Sequence, residues 1–389
     1  MPRPFSSSDE QWMAHALALA RRGEALASPN PMVGAVLVRN QRVVGEGFHT
    51  YDALKHAEII ALEAAGSAAR RATLYVNLEP CCITGRTGPC TQALIQGGIA
   101  RVVAAMPDPN PAVSGRGFKK MRAAGIEVEA GKLSEEARRL NEAFATWITT
   151  QRPLVTLKSA MTLDGSLVLP GAVAGPSNER RPQWITSSAS RAEVQRMRHA
   201  SDALLTGIGT VLADDPMLTD RTGLPRRRPL LRVVLDSQLR LSVRSRLVRE
   251  AQQDVLVFTC AAEKGRRAQA LRHAGVEVVT IGERTRQTAT ARPDLRAVLE
   301  ELGRRNIMSV LLEAGPTLNA AALGAGIVDK VRMFYAPKLA GGSPAAALSR
   351  SVPLPRDEPA GHEISRLRIE QFGADFAVEG YLRDVYGNC

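Results

Sequence analysis

Cysteine is sparse in this chain. The five present, at 81, 82, 90, 260 and 389, do not suggest a disulfide framework. Long apolar runs are missing too: nothing approaches the roughly twenty residues of a membrane span, so no membrane partner is expected. Met1 to Asp9 carries Pro and Ser but no apolar signal core, which reads as a cytoplasmic protein. Acidic residues are in deficit, 39 against 51 Lys and Arg, for a formal net charge of +12. That balance favours anionic partners such as phosphorylated metabolites, a dinucleotide or nucleic acid. Much of the excess is arginine in the second half, including Arg226-Arg227-Arg228 and Arg304-Arg305. Scattered arginine is usually a solvated surface, so charge alone does not name the ligand.

The residues present are enough for more than one core. At 389 residues and 44% apolar, the chain predicts two domains, 1–150 and 151–389. The first is organised around His56-Ala57-Glu58, a short apolar run at Leu74–Leu78, then Glu79-Pro80-Cys81 and Cys90. One imidazole and two thiolates make a zinc set that leaves a fourth tetrahedral position open. This order matches the zinc-deaminase signature, in which a Glu two residues after the His serves as acid and base without binding the metal. A zinc so held lowers the pKa of a bound water, and Glu58 moves the protons. A single His-Ala-Glu is usually surface decoration, and two cysteines nine apart are more often plain thiols. Their conjunction in this order is what carries the reading.

Along the first half, the apolar stripe Trp12, Met13, Ala16, Leu17, Ala20 predicts a helix from Asp9, its cap, to Arg22. Pro29-Asn30-Pro31 breaks the chain before a hairpin of Met32–Val38 and Arg42–Phe48. A helix from His56 to about Ala68 places His56 and Glu58 in its first turn, where the helix dipole favours anions. Strand Thr73–Leu78 puts Cys81 just past its carboxyl end, and helix Thr91–Gly97 puts Cys90 near its start. Strand Arg101–Ala105, helix Gly117–Ala124, strand Ile126–Glu129 and one Ser134-capped helix to about Thr149 complete a three-layer α/β domain. Asp108-Pro109-Asn110-Pro111 reads as turn chemistry.

After Pro153 a second α/β series begins at Leu154–Ala160. Strands are expected at Ala203–Thr206, Leu230–Asp236, Val255–Thr259, Val276–Thr280, Met308–Leu312 and Lys330–Tyr335. Helices are expected at Arg191–His199, Arg266–Ala274 and Leu295–Arg305. Gly171 to Pro182 reads as a loop inside this domain. There is no GxGxxG after a strand. Gly207-Ile208-Gly209-Thr210 comes directly after an apolar strand, and Glu313-Ala314-Gly315-Pro316 links a strand to a helix. Both offer backbone N–H groups to a phosphate. Such loops are common, and each alone is a weak signal. Asp214-Asp215-Pro216 is turn and capping chemistry before it is a metal pair.

Taken together, these stretches resemble the family of bifunctional riboflavin-biosynthesis deaminase/reductases over about residues 9–380. In the first half the resemblance rests on Pro29-Asn30-Pro31-Met32-Val33-Gly34, His56-Ala57-Glu58, Glu79-Pro80-Cys81, Gly85-Arg86-Thr87 and Asp108-Pro109-Asn110-Pro111. In the second it rests on Leu157 to Gly165, Trp184-Ile185-Thr186, Thr206 to Pro216, Arg232 to Asp236 and the Glu313 loop. It implies a cytidine-deaminase-like α/β/α domain followed by a dihydrofolate-reductase-like α/β domain. It also implies zinc and NADPH as cofactors, and a phosphorylated pyrimidine as a small-molecule substrate rather than nucleic acid. The first domain would remove ammonia from a diaminopyrimidinone ribosylamine phosphate, and the second would reduce the ribosyl group to ribityl.

Carried over residue by residue, the resemblance makes His56, Cys81 and Cys90 the metal ligands and Glu58 the catalytic group. Asn30, His49 and Arg86 contact the deaminase substrate, Arg86 near its phosphate. Lys158, Arg198, Leu218, Arg221 and Glu313 line the reductase substrate site. Ala160, Trp184, Thr210, Asp214, Ser237 and Gly315 touch NADPH. Without their motifs, Trp184 would read as core and Arg198 as a helix-surface charge. Enzymes of this type commonly self-associate, so a homo-oligomer is expected. The abundance of arginine favours NADPH over NADH.

Departures from the family pattern fall at Ile83, where His is usual, and at Ala53-Leu54-Lys55, where Gly-x-Pro is usual. They also fall at Pro182, at Ala314 for a Gly, and in a longer Gly171–Gln183 loop. Three other readings remain, one of them a binding protein with purely structural zinc, which expects four protein ligands and gives Glu58 no role. A tRNA-type deaminase suits the basic charge, but those enzymes space the thiolates as P-C-x-x-C, whereas eight residues separate Cys81 from Cys90 here. A fusion with one active half suits the departures at Ile83 and Pro182.

Overall fold

A computed structural model describes residues 7–167, 184–261, 265–281, 291–341 and 361–386. The expected Gly171–Gln183 loop, with Pro182, lies outside them. The chain forms two compact units. The first runs to Gln151 and also takes in Pro225–Arg228 and Tyr386; the second comprises Arg152–Leu224 and Pro229–Val385.

The first unit runs α1 (Ser7–Arg21), β1 (Gly34–Arg39), β2 (Arg42–Phe48), α2 (Ala57–Ala65), β3 (Thr73–Val76), α3 (Cys90–Gln96) and β4 (Arg101–Ala104). Helix α4 (Arg116–Ala123), β5 (Glu127–Ala130), α5 (Ser134–Leu140) and α6 (Glu142–Thr150) complete it. Its sheet has the order β2-β1-β3-β4-β5, antiparallel on both sides of β1 and parallel from β3 to β5. Strand β1 is apolar without alternation because both of its faces are covered. The register shows how. Ala35 pairs with Gly47 and Leu37 with Gly45, so Gly45 and Gly47 share one face while Gly34 faces the other way.

A Cβ on Gly34 would lie 2.1 Å from the Ala16 carbonyl of α1. On Gly45 it would lie 2.2 Å from the Ala61 carbonyl of α2. The two helices therefore sit on opposite faces, each seated directly on strand backbone. Because the obstruction is main chain, Gly45→Ala must lift α2 from the sheet. The expected loss is about 3 kcal/mol, at the upper end for overpacking, read as a lowered denaturant midpoint. A midpoint equal to that of the unaltered protein would contradict it.

Two expected features differ. Asp9 lies inside α1 rather than at its cap position, and its carboxylate accepts from Tyr75 Oη at 2.7 Å and pairs with Arg101 at 2.9 Å. The single helix expected from Ser134 is two, broken at Asn141. The Asn141 side chain accepts from Met32 N–H at 2.8 Å and donates to Met32 O at 3.0 Å. That tertiary pair outweighs the helical pattern.

The second unit contains β6 (Leu154–Thr162), α7 (Ser188–Ala200), β7 (Ala203–Gly207), α8 (Ile208–Asp214), β8 (Leu231–Leu235), α9 (Arg246–Arg249) and β9 (Val255–Thr259). Helix α10 (Arg266–His273), β10 (Val276–Thr280), α11 (Leu295–Arg304), β11 (Ser309–Leu312) and α12 (Pro316–Gly324) lead to β12 (Lys330–Ala336), β13 (Ser365–Phe372) and β14 (Asp375–Tyr381). The sheet order is β10-β9-β8-β7-β11-β6-β12-β14-β13. It is parallel from β10 to β12, with β14 antiparallel to both of its neighbours.

The hairpin β13–β14 is not among the elements expected from sequence, whose last strand ends at Tyr335. Gly373, with φ of +66°, lies in its turn. The alternation is obscured because Leu367 and Ile369 are exposed on β13. Within the parallel part, the fully buried Arg232 is balanced by Asp254 at 2.7 Å and by the carbonyls of Met217 and Glu250. Among the described residues no helix is long and apolar enough to cross a membrane.

Candidate metal centre and reductase site

His56 is not in the first turn of α2, as the periodicity predicts, but is its N-cap residue, in extended backbone. This leaves the imidazole outside the helix barrel, and the helix begins with Ala57 and the buried Glu58. Cys81 comes after β3 by a short buried stretch, Asn77 to Pro80, and Cys90 is the first residue of α3. His56 Nδ1 lies 3.1 Å from Cys90 Sγ and 3.5 Å from Cys81 Sγ, and Cys90 N–H donates to Cys81 Sγ at 3.3 Å.

The three ligand atoms lie within 4.8 Å of one another. Tetrahedral zinc with Zn–N and Zn–S bonds of about 2.0–2.3 Å sets its nitrogen and sulfur ligands about 3.5 Å apart. The set therefore fits the ion. Its charge fits as well. The Cys81 thiol is drawn down to about 4, first by hydrogen bonding with Cys90 and then by His56, against its burial. The Cys90 thiol is pushed up, by the Cys81 sulfur first and burial second. Two sulfurs this close share a proton that a dication between them would displace.

Glu58 is buried against this set, and burial first of all pushes its carboxyl above the ordinary range, with His56 opposing. His49 is held neutral, its pKa lowered chiefly by burial. Its Nδ1 meets the Lys55 carbonyl at 2.9 Å, so Nδ1 carries the hydrogen and Nε2 accepts from Asn30 Nδ2 at 2.9 Å. Asn30 and His49 thus present one connected polar edge, and the His49 and His56 rings meet edge-on at 5.4 Å. Arg86 stands over the ring of Tyr51 at 4.1 Å.

Residues that sequence reasoning passed over hold these parts in place. Asn77, wholly buried, accepts from Gly34 N–H at 2.8 Å and donates to Met32 O at 2.9 Å, fixing the segment after Asn30. Glu79 gathers the N–H groups of Gly115, Phe118 and Asp108 at 2.8–3.2 Å. That ties the Asp108 turn to the Cys81 loop. The signal in the sequence is the Glu of Glu79-Pro80-Cys81, a motif position to which the zinc chemistry gives no task. Asp108 Oδ1 accepts from Asn110 N–H, as turn chemistry requires, and burial pushes its carboxyl up to about 7.

In the second unit, Lys158 and Ala160 fall on β6, Trp184 lies between β6 and α7, Arg198 is on α7, and the others lie beyond the carboxyl ends of β7, β8 and β11. That edge is where parallel sheets collect ligands. Glu313 directly succeeds β11 and takes a two-pronged contact from Arg198, Nε at 2.7 Å and Nη2 at 3.0 Å, with Lys158 Nζ at 3.5 Å. Burial alone would raise its carboxyl, but the charges and hydrogen bonds of Lys158 and Arg198 win and hold it at about 2. Arg198 is therefore no helix-surface charge; it is shielded and also donates to Thr219 O.

Leu218 is buried with φ of +57°. A leucine in that backbone region is strained, and such strain persists only where surroundings impose it. Here the buried His199–Asp220 contact, 2.8 Å, fixes the segment, and Thr222 adds a second hold on Asp220. Arg221 is exposed, its N–H donating to Gln195.

Thr210 lies in α8, Asp214 ends that helix exposed, and Ser237 stands half-buried just beyond β8. Gly315 is the N-cap of α12, where an added Cβ would come only within 3.9 Å of Thr210 Oγ1. The buried Thr206 Oγ1 and Asp236 Oδ1 have no protein partner among the described residues, which suits an edge that receives a polar cofactor. Ala160 packs with Val194 and Phe334. Trp184 is not core: it is 57% exposed, with Arg191 at 4.8 Å over its ring.

Residues 153–378 match the RibD C-terminal domain family, and residues 6–106 match the cytidine and deoxycytidylate deaminase zinc-binding region. Riboflavin biosynthesis protein RibD of Escherichia coli strain K12 is 41% identical over 344 residues, 86% of this chain and 89% of that one. This chain belongs to the RibD family. The RibD protein of Aquifex aeolicus is 40% identical over 86% of this chain and 88% of its own. A solved RibD structure from Acinetobacter baumannii superposes with a TM-score of 0.81 at 35% identity, covering 96% of this chain and 98% of that one. A second, from Thermotoga maritima, reaches 0.77, also at 35% identity, over 96% and 98%. It is described as a diaminohydroxyphosphoribosylaminopyrimidine deaminase/5-amino-6-(5-phosphoribosylamino)uracil reductase. Like other RibD proteins, this chain is an enzyme of riboflavin biosynthesis with a zinc-binding deaminase domain and an NADPH-dependent reductase domain.

Proposed function

We propose that the first unit deaminates 2,5-diamino-6-ribosylamino-4(3H)-pyrimidinone 5′-phosphate and that the second reduces the product's ribosyl group to ribityl. The observation that carries the first step is the convergence of His56, Cys81 and Cys90 beside a buried carboxyl, Glu58, that is not needed as a ligand. Zinc, when bound there, supplies an activated water. Glu58, with its proton affinity raised by burial, takes a proton from that water and returns it to the departing amine. Asn30 and neutral His49 orient the pyrimidine edge, and Arg86 meets the phosphate.

For the second step, Lys158 and the Arg198–Glu313 pair face the ribosyl phosphate. Trp184, Thr210, Asp214, Ser237, Ala160 and Gly315 receive the dinucleotide, which when bound supplies hydride to the opened ribosyl C1. The RibD likeness spans both halves, and a nucleic-acid deaminase reading would leave the second half without a task. A cytoplasmic setting and a homo-oligomer belong to the same proposal.

The test is one assay with the diaminopyrimidinone ribosylamine phosphate, zinc and NADPH, following ammonia and NADPH absorbance together. Both signals are expected, with NADH a slower donor. A zinc chelator should stop ammonia release while reduction of already deaminated substrate continues. Ammonia without NADPH oxidation would mean that only one half works, and no ammonia from zinc-loaded protein would overturn the reading.

A further inference from the structure

The run Arg226-Arg227-Arg228 lies deep in the second half of the sequence, yet Pro225–Arg228 belongs to the first unit. Arg227 is fixed there at several points. Its N–H donates to Ala25 O at 3.0 Å and its Nη1 to Ser28 O at 3.0 Å, and its Nε meets the exposed Asp52 carboxylate at 3.2 Å. Arg228 adds a contact to Ser28 Oγ at 3.0 Å. These anchors occupy the segment immediately before Asn30. They bring the Arg227 guanidinium to 3.8 Å from the centroid of the Tyr51 ring.

Tyr51 already carries a second guanidinium. Arg86 lies 4.1 Å from the same centroid and donates from Nη1 to Tyr51 O at 3.3 Å. Both distances run to one point, so the two charges stand within about 8 Å of each other. In water, like charges at that separation repel only weakly, and the attraction of each cation to the ring offsets the repulsion. Nη2 of Arg227, and Nε and Nη2 of Arg86, have no protein hydrogen bond among the described residues. Tyr51 is two residues beyond His49, which hydrogen-bonds to Asn30.

We propose that Arg227 and Arg86, both ordered against Tyr51, form a two-guanidinium clamp for the 5′-phosphate of the deaminase substrate, which makes Arg227 a specificity-determining residue of that site. A phosphate dianion can take charge-assisted hydrogen bonds from two guanidinium groups at once. Asp52 holds Arg227 in place through Nε and leaves Nη2 for the ligand. The clamp rests on the deaminase reading of the first unit.

The test compares deamination of the phosphorylated riboside with that of its dephosphorylated form, in the full zinc-loaded chain and in Arg227→Gln. Gln keeps part of the stem against Tyr51 but removes the charge. KM for the phosphorylated substrate should rise about tenfold while KM for the dephosphorylated one changes less than twofold, and Arg227→Lys should recover part of the difference. A staple that merely pins Pro225–Arg228 would move both KM values together, and that result, or no change in either, overturns the clamp. Should the Gln variant not fold, inorganic phosphate serves as the probe on the unaltered enzyme. Competitive inhibition that weakens as KCl rises is expected, and no inhibition overturns the clamp. If the unaltered enzyme deaminates neither substrate, it is the deaminase reading that has failed.

Discussion

Glu58→Gln should lower ammonia release by about 10³-fold, within the range that general acid–base groups contribute, and leave zinc content and reduction of pre-deaminated substrate as they are. Glu58 is buried at the start of α2, two residues from a metal ligand, and burial raises its proton affinity. Gln preserves the volume and can still hydrogen-bond, so the metal set should survive. What it cannot do is accept a proton and give it back. Two measurements check this: ammonia release under saturating substrate, and zinc per chain. Retained deamination would remove Glu58 from the chemistry. Loss of both ammonia release and reduction in a folded, zinc-loaded variant would argue against separate sites.

The second large effect is expected at Glu313. Arg198 and Lys158 share this carboxylate, and both are largely shielded, with side chains 12% and 16% exposed. Glu313→Gln leaves the two cations without their counter-charge. Removing one partner of a buried pair costs about 3–5 kcal/mol, so the second unit should unfold at clearly lower denaturant. The KM of the reductase step should also rise at least tenfold.

The pH dependence has a definite sign. Glu313 in the folded state lies at about 2, below its ordinary value of 4.5. Its contribution is therefore complete above pH 4.5 and is lost as the pH falls toward 2. A gap of that size corresponds to about 3 kcal/mol. Acid titration of the unaltered protein should show a loss of stability across that window that the Gln variant lacks. Parallel acid curves for the two proteins would show that the pair does not carry the stability assigned to it.

Much of the metal site was legible because its parts are close in sequence and each has a local cause. His56 and Glu58 are two residues apart, Cys81 comes after an apolar run, and Cys90 opens a helix. Spacing of this kind survives in one dimension. The expected position of His56 was off by a single residue, and the difference matters: as N-cap rather than helical residue its imidazole is outside the barrel of α2. Helix ends are decided by which backbone groups find partners, and no periodicity reports that. The same limit hid the break at Asn141, where a side chain chose Met32, 109 residues away, over continuing the helix.

The roles of Arg198 and Trp184 show the limit from the other side. By periodicity alone, an arginine in a helix reads as surface and a tryptophan as core. The structure reverses both, because Arg198 meets Glu313 across 115 residues of chain and Trp184 stands exposed beside Arg191. Arg227 was visible only as one arginine of a basic run, with no neighbour in sequence to suggest Tyr51.

The amino-acid order by itself determined the ligand types for the metal, the carboxyl that stands beside them and the alternation that builds two α/β units, since each depends on residues a few positions apart. Only the tertiary structure decided which charges are paired and which strands flank the site. Those depend on electrostatic contacts and packing between residues that the chain holds far apart until it folds.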